Sequence, residues 1–222
     1  AALVAAVGAI AVGARIGGCC DDHLEDQMFP TSTWGKVYAV ARSRSRGGEN
    51  DLLRIMAQKD GTTVTINPAP ASGSCAILDA GKFCEVQIAG DTEVSADKPI
   101  AVAHFIQGIG TTGNPGIGDP SLAFAVPTEQ YRTEYQLLVH DQYDTNFFAV
   151  VTAGTVELDG VDVTGQLASF GSGARKAGRL TVSAGPHRLV CPEGCGVEVG
   201  GYSLSVSYLF AGGLDLEQLV LE

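Results

Sequence analysis

Side chains able to do chemistry are sparse and scattered along this 222-residue chain. The histidines are His23, His104, His140 and His187. His23 stands among Asp21, Asp22, Glu25 and Asp26, where a metal site is conceivable, but clustered carboxylates normally face water. His140 opens the polar run His140-Asp141-Gln142-Tyr143-Asp144-Thr145-Asn146. Its oxygens could ligate calcium, and Tyr143 could stack on a sugar, but the run lacks the spacing of a calcium loop. His104 lies in a Val/Ala alternation that predicts an outward or interface side chain. No serine sits in Gly-x-Ser-x-Gly, and Ser172 in Gly171-Ser172-Gly173 has no strand before it to form a nucleophile elbow. Phosphate-binding glycine loops are absent as well. These residues predict no catalytic set, no resident metal and no cofactor, with calcium the one candidate; the chain reads as non-enzymatic.

The cysteines carry a firmer signal. Cys75 and Cys84 flank two short strands around a turn, and Cys191 and Cys195 enclose Pro192-Glu193-Gly194. Both spacings suit local disulfides, whereas zinc wants close Cys/His pairs brought together. Disulfides place the protein in an oxidising compartment, secreted or at a cell surface. Adjacent Cys19 and Cys20 form a strained ring if bonded to each other, which leaves one of them to pair outside this sequence. Arg42, Arg44 and Arg46 alternate with Ser43 and Ser45. On a strand they would share one face and could meet an acidic patch of a neighbouring copy; as an exposed loop they would do nothing specific. The candidate interaction residues are therefore Arg42, Arg44, Arg46, His140, Tyr143 and Asp144.

The composition sets the frame for these residues. The hydrophobic fraction is 45%, the charged fraction 18%, and there are 29 glycines and 2 methionines, which suits an all-β protein with a sizeable core. The net charge of -11 disfavours nucleic acid and anionic membrane surfaces as partners. Residues 1–18 are apolar but too short and weak to span a bilayer.

Period-two patterns predict strands over 37–40, 52–57, 62–66, 83–88, 92–95 and 100–105. A Gly/Pro-rich stretch over 109–121 reads as a linker. A second group follows over 122–126, 135–139, 147–151, 155–158, 179–182, 188–190, 196–199 and 203–209. One helical turn is expected over 21–27. The groups look like internal repeats: Pro30-Thr31-x-x-Trp34-x-x-x-Tyr38 matches Pro127-Thr128-x-x-Tyr131-x-x-x-Tyr135. The aromatic residues at these matching places should pack in each core. Residues 9–18 align without gaps on 99–108 with five identities, so 1–18 reads as the closing strand of a preceding repeat. The expected organisation is that strand, a first β-sandwich repeat over 19–108, the linker, and a second β-sandwich repeat over 122–222.

Several motifs in order resemble one family. They are Cys20-Asp21-Asp22-His23-Leu24-x-x-Gln27-x-x-Pro30 with Thr33-Trp34-Gly35, Ala57-x-x-Asp60-Gly61-Thr62-Thr63-Val64, Gly118-Asp119-Pro120-Ser121-Leu122 and Gly201-Tyr202-Ser203. The chain resembles the IgGFc-binding protein N-terminal domain family over most of 9–214, in a bacterial-type, N-terminally truncated form. The family takes its name from a secreted mucus protein associated with binding IgG Fc, and similar domains occur in bacterial surface and secreted proteins. The resemblance implies an extracellular binding module and carries over no catalytic residues. An unpaired terminal strand leaves a sheet edge that invites addition from another chain. The expected function is a non-enzymatic surface module for adhesion or assembly with other copies or surface proteins. The alternative is a glycan-binding domain, with or without calcium.

Overall fold

The computed structural model describes residues 24–108 and 116–219. The expected strand in 1–18, Cys19, Cys20, His23 and the centre of the expected linker lie outside these. The described residues form 17 strands and no α-helix. Leu24–Gln27, expected to continue a helical turn, is irregular.

In the first half, β1 (Val37–Val40), β7 (Thr92–Ala96), β3 (Thr62–Asn67) and β5 (Ile77–Leu78) form a sheet in the order β1-β7-β3-β5. A second sheet runs β4-β6-β2-β8-β9, from β4 (Ser72–Gly73), β6 (Phe83–Ile88), β2 (Asp51–Ala57), β8 (Ile100–Ile106) and β9 (Ser121–Phe124). Alternate residues of the two sheets face each other: Tyr38, Val40, Leu53, Ile55, Val64, Val86, Val94 and Val102 make one core. This is the sandwich that period-two patterning dictates.

The second half contains β10 (Arg132–Val139), β11 (Thr145–Thr152), β12 (Glu157–Leu158), β13 (Val161–Asp162), β14 (Ala168–Phe170), β15 (Arg175–Val182), β16 (Gly185–Ser203) and β17 (Val206–Ala211). Its core holds Leu137, Phe148, Val150, Leu180, Leu189, Val197 and Val199. The strand orders of the halves coincide. β10, the first part of β16, β12 and β13 repeat β1-β7-β3-β5. β14, β15, β11, the second part of β16 and β17 repeat β4-β6-β2-β8-β9.

The difference is β16. One 19-residue strand takes the place of both β7 and β8, so two sheets become one curled sheet. Residues 188–190 and 196–199, expected as separate strands around a tight turn, belong to it. Pairing changes partner at the Cys191-to-Cys195 segment: Val190 lies opposite Glu134, and Cys195 opposite Thr152. Gly194, at φ 82°, supplies the left-handed residue this bulge needs, and the disulfide staples it.

Both halves open with a proline, a single 3-10 turn (Thr31–Thr33, Thr128–Gln130) and a buried tyrosine. Tyr38 accepts the Gly35 N–H (3.4 Å) and donates to the Ile100 carbonyl (2.6 Å). Tyr135 accepts the Arg132 N–H (3.2 Å) and donates to the Cys195 carbonyl. The other aromatic pair departs from expectation. Trp34 packs with Met28 and Ala101 on the outer face of the first half, and Tyr131 reaches the Ala39 carbonyl, so neither sits in a sandwich core.

Leu122, expected to open the second repeat, is hydrogen-bonded opposite Phe105. β9 is thus an edge strand of the first half's sheet, and the changeover between halves falls after Phe124. The halves meet along a seam where Ala39, Ala41, Ile106 and Ala123 face Phe147, Ala149, Val151, Tyr202 and Leu209. The C-terminal segment then returns to the first half. Buried Gln130 donates to the Thr33 and Glu217 carbonyls and accepts the Glu217 N–H.

Candidate functional site

Two places gather polar or aromatic side chains. The first is inside the seam. His104 on β8 is fully buried between two carboxylates, with Nε2 2.9 Å from Asp51 Oδ2 and Nδ1 2.7 Å from Glu198 Oε2. Asp51 comes from the first half and Glu198 from β16, so the imidazole bridges them. Burial opposes its charge, but the Glu198 charge and hydrogen bonds to both carboxylates outweigh this and raise its pKa to about 10. Burial likewise opposes the Asp51 charge, yet hydrogen bonds from His104 and from the Ser43 N–H and hydroxyl hold its carboxyl below the usual range. Ser43 donates to Asp51 and does not touch the imidazole, so the arrangement lacks the nucleophile–base contact of acyl-transfer chemistry. It is a charged strut between halves.

The arginine row joins this seam. Residues 41–50 form a loop, not a strand, and the three side chains do not share one exposed face. Buried Arg46 pairs with Glu49, donates to the Gln107 and Ile117 carbonyls, and lies 4.9 Å over the Tyr202 ring. Arg42 approaches Glu49 at 3.8 Å, and its carbonyl accepts from Arg179, which itself pairs with Asp91. Arg44 donates to Thr181 in the second half. For Arg42 and Arg46 the acidic partner expected on a neighbouring copy is Glu49 of the same chain, while Arg44 meets a hydroxyl.

The second place is an open groove of about 570 Å³ at the far corner of the second half, lined by Leu138, Val139, His140, Asp141, Tyr143, Gly185, Tyr208 and Phe210. Here the expected His140 and Tyr143 do come together. Tyr143 meets the His140 ring edge-on at 5.7 Å and Tyr208 at 4.6 Å, and Tyr208 stacks on Phe210. Leu138 is 74% exposed and Phe210 40%. Buried Asn146 fixes the loop, donating to the His140 and Tyr143 carbonyls and accepting from the Tyr208 hydroxyl at 2.7 Å. Burial pushes the Tyr208 hydroxyl up to about 12. Asp144 is turned to Ser203, whose hydroxyl donates to it at 2.6 Å. The sequence reading missed Tyr208 and Phe210, which look like ordinary alternation of an edge strand.

Asn146, the Tyr208 hydroxyl and Asp144 are thus committed to the loop's own bonds, while Asp141 stays exposed. Among the described residues, no group of three or more His, Cys, Asp or Glu is placed to hold a metal. Cys75–Cys84 and Cys191–Cys195 are bonded as the spacings predicted. Among the described residues no helix is long and apolar enough to cross a membrane.

A comparison with curated proteins finds no match. Among solved structures, the chain is 13% identical to an anti-sigma factor domain-containing protein from Clostridium clariflavum, covering 80% of this chain and 83% of that one. The TM-score is 0.20, which carries no argument about fold. The family described as IgGFc binding protein matches residues 3–201, which takes in most of the seam and of both sandwiches, and the chain belongs to that family.

Proposed function

We propose that this protein is an adhesion or assembly module, secreted or held at a cell surface, which makes protein–protein contacts through the groove at the β10–β17 corner. The family is one of extracellular, non-enzymatic binding modules. The observation that carries the finer reading is the groove itself. It presents Leu138 and Phe210 to solvent beside the half-buried Tyr143, while Asp144, Asn146 and the Tyr208 hydroxyl are bonded internally and Asp141 stays exposed at the rim. Exposed aromatic and aliphatic side chains in one concave patch are what a protein partner buries. Two tandem repeats of one module fit the matching strand orders, with β9 added to the first.

Glycan binding is the alternative, favoured only by Tyr143 beside the 140–146 loop. A bead assay separates the two. Beads coated with the chain should attach to a biological surface, and the Leu138→Asp chain should not. Protease treatment of the surface should abolish attachment, while glycosidase and chelator should leave it intact. Loss on deglycosylation or chelation would instead favour the glycan reading.

A further inference from the structure

The matching strand orders give the groove a counterpart inside the molecule. In the first half, Ala41 follows the end of β1, Ser43 lies in the same loop, Asp51 heads β2, His104 lies on β8 and Ala123 on β9. These residues form a corner, and the second half closes it with Phe147, Glu198, Tyr202 and Leu209. Laying β10, β11, β16 and β17 on β1, β2, β8 and β9 puts Leu138 at the place of Ala41 and His140 at that of Ser43. Asn146 then stands for Asp51, Val199 for His104 and Phe210 for Ala123. The groove is therefore the second half's copy of a corner that, in the first half, is an interface with a sandwich sheet.

The surface that fills the corner also has a counterpart. Phe147, Val151, Ala177 and Leu209, on the outer face of the second half, correspond to Leu52, Met56, Phe83 and Leu122 on the first. Leu24 covers the Leu52 side of that face, and Met28 and Trp34 pack beside it. Phe83 remains 48% exposed, with the Arg54 guanidinium 4.5 Å from its ring and Lys82 beside it in sequence. At the rim of the groove, Asp141 is 83% exposed and offers the opposite charge.

We infer that the groove is the docking surface for a second copy of this chain, which enters it with the Phe83 face of its first half. This rests on reading the groove as a protein-contact site. The contact repeats between molecules the seam made within one, with Leu138 and Phe210 taking the part of Ala41 and Ala123. It is head-to-tail, so each molecule keeps one free groove and one free face, and copies add as an open chain.

The test is sedimentation velocity of the whole chain from micromolar to near-millimolar concentration. The wild type should grow into oligomers without a fixed stoichiometry. Leu138→Asp and Phe83→Asp, both at exposed positions, should each weaken association roughly thirtyfold, the effect of losing a contact hot spot. Mixed together, they should form dimers that grow no further, because one supplies an intact face and the other an intact groove. Melting curves check that each variant is folded, and Phe210→Ser is the second groove variant should Leu138→Asp be unstable. A wild type that stays monomeric throughout overturns the inference. Association lost in Leu138→Asp but kept in Phe83→Asp also overturns it, while leaving the groove as a contact for some other protein surface.

Discussion

The two corners of this molecule share a backbone plan and differ in how they meet water. At the first, Asp51 and His104 are ionised, fully buried and matched by Glu198 from across the seam. At the second, the corresponding places hold Asn146 and Val199, and aromatic side chains face solvent. Buried charges tolerate one arrangement of partners, so the first corner fixes how the halves sit. An aromatic rim carries no such demand and can remain open until something covers it. One corner is built to stay closed and the other to be filled.

The sharpest way to break this contrast is to give the first corner the residue of the second. His104→Val leaves Asp51 and Glu198 facing each other without a cation, and stability should fall by about 3–5 kcal/mol in chemical denaturation. The pH dependence carries the same signature. The imidazole titrates near its ordinary 6.5 when unfolded and at about 10 when folded, so the native state holds a proton that the unfolded chain releases. Its contribution is complete below about 6.5 and fades as pH rises toward 10. Asp51 runs the other way: its lowered pKa contributes above the ordinary 3.8 and is lost as pH falls below it. The melting temperature should therefore hold from about pH 4 to 6.5 and decline to pH 10. His104→Val should lose most of that alkaline decline; an unchanged slope would remove the strut from the account.

The disulfides give a smaller contrast between the halves. Loop closure alone ranks Cys75–Cys84, with a separation of 9, about 0.6 kcal/mol above Cys191–Cys195, with a separation of 4. Burial reverses the order, because Cys191 and Cys195 lie fully inside the second core while Cys75 and Cys84 are partly exposed. Two hydroxyls placed in that core cost about 1–3 kcal/mol each. Replacing Cys191 and Cys195 by Ser should therefore destabilise more than the same change at Cys75 and Cys84. Limited reduction followed by alkylation should label Cys75 and Cys84 first.

How far the sequence carries depends on whether a feature is local. The longer strands of the first half and both cysteine pairs are short-range, and they were readable in period-two patterns and spacing. In the second half, the strand expected over 203–209 runs across the turn between β16 and β17, and β13 and β14 were not foreseen. β9 was assigned to the wrong group because its partner β8 lies across the linker, and pairing over that distance leaves no pattern in the strand itself. β16 was divided because Pro192-Glu193-Gly194 has the composition of a turn, while the disulfide lets the chain bulge and continue. The arginine row was visible, but its partners Glu49, Gln107, Ile117, Tyr202 and Thr181 converge only in the folded seam. The groove was half legible: His140 and Tyr143 stood out in a polar run, whereas Tyr208 and Phe210 arrive from a strand remote in sequence.

The finest test of the shared plan lies in the two tyrosines that sequence alone paired. Tyr38 and Tyr135 each hold a backbone N–H three residues back and a carbonyl on the strand opposite. Tyr→Phe at either site leaves that buried carbonyl without its donor, at about 1–2 kcal/mol. If the halves are equivalent, the two losses should agree within about 0.5 kcal/mol, and the double variant should lose their sum, since the sites share no partner. A much larger loss at Tyr135 would mean that its hydroxyl also holds the bulge at Cys195, where one strand replaces two. That outcome would locate the departure between the halves at β16 and not in their opening turns.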